Sequence, residues 1–245
     1  MRIDVLTLFP EMFPAYVNAS ILRRAQDAGI LQLHLHNIRE YAAGKHRVTD
    51  EPPYGGGGGM VLKPEPVFAA VEAVLAQDAA ENPPPIILLT PQGRVFTQKA
   101  AQELAQQPRL LLLCGRYEGV DERVRQHLVN DEISLGDFVL TGGELAAMVV
   151  IDAVVRLLPG ALGAADAPEQ DSHATGLLEG PHYTRPESFR GWQVPVTLRS
   201  GHAAQIARWR RQEALRRTWQ RRPDLLLTAS LSEEDKQFLA TLALE

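Results

Sequence analysis

Three apolar runs in this 245-residue chain stop abruptly at glycine-bearing polar segments. Ile86-Ile-Leu-Leu89 runs into Thr90-Pro-Gln-Gly93, and Arg109-Leu-Leu-Leu-Leu-Cys114 runs into Gly115-Arg-Tyr-Glu-Gly119. The third is Ser134-Leu-Gly-Asp-Phe-Val-Leu-Thr-Gly-Gly-Glu144, whose apolar stretch ends at Gly142-Gly143. Short continuous apolar runs bounded by glycine read as buried parallel strands. In open α/β sheets, ligands bind in the crevice beyond the carboxyl ends of such strands. Glycine exits expose backbone N–H and C=O groups there without side chains in the way. The chemistry this suits is capture of a nucleoside-like ligand, with Tyr117 and Glu118 lining the crevice.

Charged groups follow at suggestive spacings. The stretch Glu144–Leu158 is apolar all round, as expected of a helix that is buried or at an interface. It nevertheless carries Asp152 and Arg156 at i, i+4. Two readings stand: an intrahelical ion pair, or a buried arginine that stabilises a developing anion. Asp166, Glu169 and Asp171 lie on residues 161–175, a small, acidic, aperiodic stretch that reads as a linker. Asp121 is placed to N-cap the helix that opens after Gly119.

Other chemistries are excluded. The Tyr54-Gly-Gly-Gly-Gly-Gly-Met60 run lacks the Lys-Ser/Thr ending of a P-loop. No Gly-x-Gly-x-x-Gly opens a helix after the first strand, which argues against a Rossmann dinucleotide site. The run is either a flexible linker or a loop closing on a flat ligand. Cys114 is the one cysteine, so there is no internal disulfide and no multi-cysteine zinc site. It reads as a small buried residue at a strand end. His34 and His36 read as solvent-side partners, and no metal is expected.

The net charge of −5 hides an asymmetry. Between positions 199 and 222 stand Arg199, Arg208, Arg210, Arg211, Arg216, Arg217, Arg221 and Arg222 against the single acid Glu213. Clustered arginine on an otherwise acidic chain is the footprint of a polyanion partner. A solvated helix face in an arginine-rich composition is the alternative.

The elements that must position these groups alternate. A strand is expected at Ile3–Phe9, a helix at Ser20–Ala28, a half-exposed strand at Leu31–His36 and a loop from about Ala43 to Met60. Then come helix 64–76, strand 86–90, helix 97–106, strand 109–114, helix 121–129, short strands near 132–140 and helix 144–158. Alternation of this kind means an α/β domain with a mainly parallel sheet. Beyond Leu198 only helices are expected, over Ser200–Arg217 and from a capping box at Ser230-Leu-Ser-Glu233 to Leu242. The expected organisation is an α/β domain over 1–160, a flexible linker over 161–175 and a small all-helical domain over 176–245. No apolar run approaches the roughly 18 residues of a membrane span. The start of the chain lacks a signal-peptide profile, so a soluble cytoplasmic protein is expected.

Taken together, these motifs resemble bacterial tRNA (guanine-N1)-methyltransferases of the TrmD type, in the knotted SPOUT superfamily. The resemblance rests on Leu8-Phe-Pro-Glu-Met-Phe13, His46-Arg47 with Asp50, Pro53-Tyr-Gly-Gly-Gly57, Pro91-Gln-Gly-Arg94 and Cys114–Val124. It continues through Ser134–Leu145, Gly180-Pro-His-Tyr-Thr-Arg-Pro186, Arg208-Trp-Arg-Arg211 and Arg217-Thr-Trp219. Gly58 and Ala146 stand where prolines are expected, and Phe138 where tyrosine is usual. The resemblance implies methyl transfer from S-adenosylmethionine to N1 of the guanine immediately 3′ of the anticodon. It also implies a trefoil knot and a homodimer whose active site is shared between subunits. The cofactor residues it carries over are Pro91, Gly115, Tyr117, Glu118, Leu135, Gly136, Asp137, Phe138, Val139, Leu140, Gly142 and Gly143. It assigns the general base to Asp171 and the essential arginine to Arg156. Contacts to the tRNA anticodon stem-loop fall on Asp50, Tyr54, Gly57, His182, Arg185, Arg208 and Arg217, with Trp209 and Trp219 as packing residues.

Overall fold

Leu110, Leu112 and Cys114 belong to one hydrophobic cluster, while the intervening Leu111 and Leu113 belong to another. Side chains alternate across a strand, so an unbroken apolar run is buried on both faces. That is why a sheet covered by helices on both sides forms here. The computed structural model describes residues 1–77, 83–163 and 171–243. Asp166 and Glu169, on the expected linker, lie outside the described residues. The chain divides into two compact units, Met1–Ala165 and Asp166–Glu245.

In the first unit, β1 (Arg2–Thr7), β2 (Gln32–Asn37), β3 (Ile86–Val95), β4 (Arg109–Cys114) and β5 (Asp131–Ser134) form one sheet. The order is β2-β1-β4-β3-β5, and every pairing is parallel. Helices α1 (Ser20–Asp27), α3 (Gln98–Ala105) and α5 (Glu144–Val155) supply the cluster on one face. Helices α2 (Pro64–Ala76) and α4 (Glu122–His127) supply the other. Val67, Val71 and Val74 of α2 are fully buried, as their spacing predicts.

The structure differs from the sequence reading in several places. β3 does not end at Thr90. Leu89 and Arg94 both pair with Ile133, so residues 90–93 leave the ladder and the strand then resumes. Only Asp131–Ser134 is strand in the region expected to hold short strands up to 140. The expected loop from Ala43 to Met60 contains Asp50–Glu51, paired antiparallel with Val61–Leu62. His36 is no solvent-side residue: its Nε2 lies 2.9 Å from the fully buried Asp4, which also binds Arg2 (2.8 Å) and Arg109 (2.9 Å). A buried carboxylate on β1 requires such partners, because an unpaired buried charge is strongly destabilising.

The second unit contains α6 (Ala203–Arg221) and α7 (Glu233–Leu242), a short helix Val196–Arg199, and a ribbon pairing Ser188–Phe189 with Trp192–Gln193. The ribbon means that the unit is not all-helical. Its buried set is thin, with Leu177, Leu215, Thr218, Asp235 and Leu242 among the buried residues. Polar ties therefore carry much of the fixing. The Thr218 hydroxyl accepts from the Leu178 N–H at 2.9 Å, and Arg211 donates two hydrogen bonds to Asp235 at 2.8 and 3.1 Å.

The capping box of α7 sits two residues later than its sequence pattern suggests. Ser232 Oγ accepts from the Asp235 N–H, and the Asp235 carboxylate accepts from the Ser232 N–H. Asp235 can thus serve the cap and Arg211 at once, which Glu233 could not. The Arg211 hydrogen bond holds the Asp235 carboxyl at about 2, below its ordinary 3.8. A depressed folded value gives stabilisation that is complete above the unfolded value and lost as pH falls towards about 2. Asp235→Asn should therefore cost roughly 2 kcal/mol near pH 6 in urea unfolding, with the two proteins converging as pH approaches 2. A constant gap across that window would contradict the linkage.

Candidate functional site

A cavity of about 360 Å³ opens beyond the carboxyl ends of β4 and β5 and where β3 leaves the ladder. That is within the usual range of ligand pockets, roughly 300–1,000 Å³. Three segments supply its walls: Thr90, Pro91 and Gln92 of the excursion within β3, Gly115–Val120 after β4, and Ser134–Leu135 with 138–143 at and beyond the end of β5. Pro91, Gly115, Tyr117, Glu118, Leu135, Phe138, Val139, Leu140, Gly142 and Gly143 all line it. Gly136 and Asp137 do not. The Gly136 carbonyl instead accepts from the Phe138 N–H at 2.8 Å, which folds the segment back so that Phe138, 54% exposed, reaches the cavity.

Close backbone approach makes the site possible. A Cβ on Gly143 would lie 2.8 Å from the Cα of Cys114, and the Gly143 N–H donates to the Gly115 carbonyl at 2.9 Å. The start of α5 therefore sits directly against the exit of β4. Burial pushes the Cys114 thiol well above its ordinary pKa, in keeping with an inert packing residue.

The glycine run over residues 55–59 lies in the connection of the antiparallel ribbon, inside the first unit, and its last glycine sits beside Glu118 of the cavity wall. A Cβ at Gly59 would fall within the carboxyl group of Glu118, and the Glu118 N–H donates to the Met60 carbonyl at 3.0 Å.

An ionic network braces this end of the sheet. Glu144 is 1% exposed and accepts from the Thr7 hydroxyl at 2.8 Å and from Arg116 Nε at 3.2 Å. Arg116 also donates to the Thr141 carbonyl at 3.2 Å and lies 4.4 Å over the Phe9 ring. A second clamp was not visible in the sequence. Arg125 of α4 donates to Thr90 Oγ1 at 3.0 Å, contacts Gln92, and pairs with Glu132 of β5 at 2.9 Å. Its partners lie at sequence distances that no short motif covers. Asp121 does cap α4, accepting from the Arg123 N–H at 3.0 Å.

The remaining expected residues lie elsewhere. Arg156 is the half-buried C-cap of α5 and is not among the lining residues. Burial raises the pKa of the Tyr16 phenol, and the charge of Asp152, to which it hydrogen-bonds, raises it further. Asp50 begins the ribbon and accepts from the Thr49 hydroxyl at 3.1 Å, while Tyr54 is fully exposed and Gly57 lies in the glycine run.

In the second unit, Asp171, Glu179, His182 and Arg210 line one groove, and His182 sits 2.6 Å from Glu179. Arg185 lines a neighbouring groove with Arg199 and Arg210. Arg208 pairs with Glu234 at 2.6 Å, and Arg217 donates to the Glu179 carbonyl at 2.9 Å. The arginine cluster is less bare than its sequence suggests. Arg199, Arg208, Arg211, Arg216 and Arg222 face Glu187, Glu234, Asp235, Glu213 and Asp224. Trp209 packs at a tilt against Tyr183, with ring centroids 6.3 Å apart.

Residues 1–228 match the family described as tRNA (Guanine-1)-methyltransferase TrmD. The chain belongs to the TrmD family. Relatives named tRNA (guanine-N(1)-)-methyltransferase agree along its whole length. The chain is 59% identical to one from Dehalococcoides mccartyi over 245 residues, covering 100% of this chain and 98% of that protein. A Moorella thermoacetica relative is 59% identical over 243 residues (99% and 97%), and one from Bacillus subtilis 55% over 240 (98% of each). The glycines on which the motifs turn are thus tied here to a measurable packing constraint. Gly143→Ala should lower stability by about 1–3 kcal/mol in thermal or urea unfolding, because a methyl group must displace the β4 exit. An unchanged midpoint would show that the two backbones are free to separate.

Proposed function

We propose that the chain transfers a methyl group from S-adenosylmethionine to N1 of the guanine immediately 3′ of the anticodon in tRNA. One observation carries this reading: a TrmD-family chain whose three glycine-bearing exits converge on one nucleoside-sized cavity. The donor's sulfonium supplies an electrophilic methyl group when bound. Leu135, Phe138 and Leu140 offer an apolar wall for a purine ring, with Val139, Gly136 and Asp137 on the same segment. Pro91, Gly115, Gly142 and Gly143 present backbone groups, and Tyr117 and the Glu118 carboxylate would hold the positively charged sulfonium. Phe138 lacks the hydroxyl of the usual tyrosine, so adenine selection rests on the backbone.

Guanine N1 carries a proton and becomes nucleophilic only on losing it. Asp171 accepts that proton, and Arg156 stabilises the negative charge that spreads to O6. The target guanine has to leave its stack to reach a cavity, at a cost of a few kcal/mol. The exposed apolar residues Met12, Tyr16, Leu145 and Val149 support a homodimer in which a second copy covers this face and the active site is shared. In this reading 1–160 is the trefoil-knotted donor-binding domain, 161–175 the linker and 176–245 the domain that grips the anticodon stem-loop. Among the described residues no helix is long and apolar enough to cross a membrane. The reading places the enzyme in the cytoplasm with its substrate.

Asp171→Asn should lower single-turnover methylation of a tRNA transcript by about 10²–10⁴-fold, with donor affinity by calorimetry unchanged. Near-normal turnover would remove Asp171 from the chemistry, and methylation indifferent to replacing the target guanine would remove the proposed substrate. In tRNA binding measured from 50 to 200 mM salt, Arg208→Ala should reduce the slope of log K against log salt by roughly 0.7–0.9. An unaltered slope would mean that Arg208 stays on Glu234 when tRNA binds.

A further inference from the structure

The ribbon of the second unit carries an aromatic surface that the proposed reaction leaves unused. Ser188–Phe189 and Trp192–Gln193 are joined by Arg190 and Gly191, both at positive φ (53° and 87°), as a type I′ hairpin turn requires. Phe189 and Trp192 are direct cross-strand partners, so their side chains share one face. Their ring centroids lie 6.1 Å apart with the planes at 48°. They are nevertheless 55% and 69% exposed. The Arg190 guanidinium lies 5.3 Å from the centre of the Phe189 ring.

Two large aromatic rings on a ribbon of two-residue strands have little of their own to pack against, and leaving them in water forgoes burial energy. A patch of this kind marks a binding surface. Its electrostatics point to the occupant. Positions 188–193 hold no acid, and the nearest, Glu187, is taken up by Arg199. Arg185 and Arg210 line the groove at the foot of the ribbon. Exposed aromatic faces interleaved with arginine are how proteins hold unstacked bases: the rings stack and the guanidinium groups meet phosphates. An apolar protein partner would gain from the rings and lose on desolvating Arg190.

We propose that Phe189 and Trp192 form a stacking platform for an unpaired base of the tRNA, with Arg190 on an adjacent phosphate. The platform rests on the tRNA-modifying reading and adds residues outside the motifs that carry the resemblance.

The test uses the full chain and an unmodified, fluorescently labelled tRNA transcript, with binding followed by anisotropy between 50 and 200 mM salt. Trp192→Ala should weaken binding about tenfold at every salt concentration without changing the slope, since stacking releases no counterions. Trp192→Phe should recover most of the loss. Arg190→Ala should flatten the slope by roughly 0.7–0.9. Donor affinity and the mass by light scattering should stay at wild-type values in all three. Unimpaired tRNA binding by Trp192→Ala, while the wild type methylates normally, overturns the platform alone. A Trp192→Ala protein whose mass falls would make a second copy the occupant and overturn it too. A wild type that leaves tRNA unmethylated overturns the enzymatic reading instead.

Discussion

A carboxylate sealed inside a protein dictates what surrounds it, and the candidate site is arranged around one such group, Glu144. Its charge is 1% exposed, so its cost of burial is offset only by partners held in place. Thr7 at the end of β1 and Arg116 at the exit of β4 are those partners. Arg116 then reaches the Thr141 carbonyl, on the segment that closes the cavity. One buried charge thereby links a strand end, a strand exit and a helix start that are far apart in the chain. The contact of Gly143 with Cys114 brings the same parts together by shape. Charge and shape make one demand, which is how a unique backbone arrangement is specified.

How much of this was legible follows from which interactions are local. The alternating leucines of β4 and the valines of α2 announce their burial, because one helix face or one strand decides it. The glycine-ended exits announce a crevice for the same reason. Long-range pairings were hidden. Nothing near Asp4 indicates that His36 and Arg109 will converge on it, so His36 read as solvent-facing. Nothing near Arg125 points to Thr90 and Glu132. The resumption of β3 after residues 90–93 was hidden too, since Pro91 and Gly93 are ordinary signs that a strand has ended. The start of α7 shows the limit at short range. The sequence pattern points to Ser230, whereas Arg211, 24 residues from Asp235 in sequence, favours Ser232 through that carboxylate.

The arginine-rich helix shows how charge counted along a chain differs from charge in space. Several of its guanidinium groups face carboxylates that lie outside 199–222, such as Glu234 and Asp235 of α7. These pairs have unequal worth. Arg211–Asp235 is largely sheltered and part of the fold, whereas Arg208–Glu234 is more than half exposed on both sides and adds little stability. An exposed pair is easily exchanged when a denser anion arrives. An acidic protein can in this way keep its cations quiet in solution and still offer them to a polyanion.

The 90–93 wall of the cavity and the glycine run near Glu118 are unlike in their surroundings. The excursion at 90–93 is hitched to the same residue, Ile133, on leaving and on rejoining the ladder, and Arg125 holds its outer side. In the run beside Glu118, a Cβ at any of Gly55–Gly58 would meet no atom within 4 Å. The 90–93 wall is therefore set during folding and loses little entropy when a ligand docks. Space in the run is free, but Gly55, Gly56 and Gly57 hold positive φ, so only Gly58 has both the room and the backbone for a side chain.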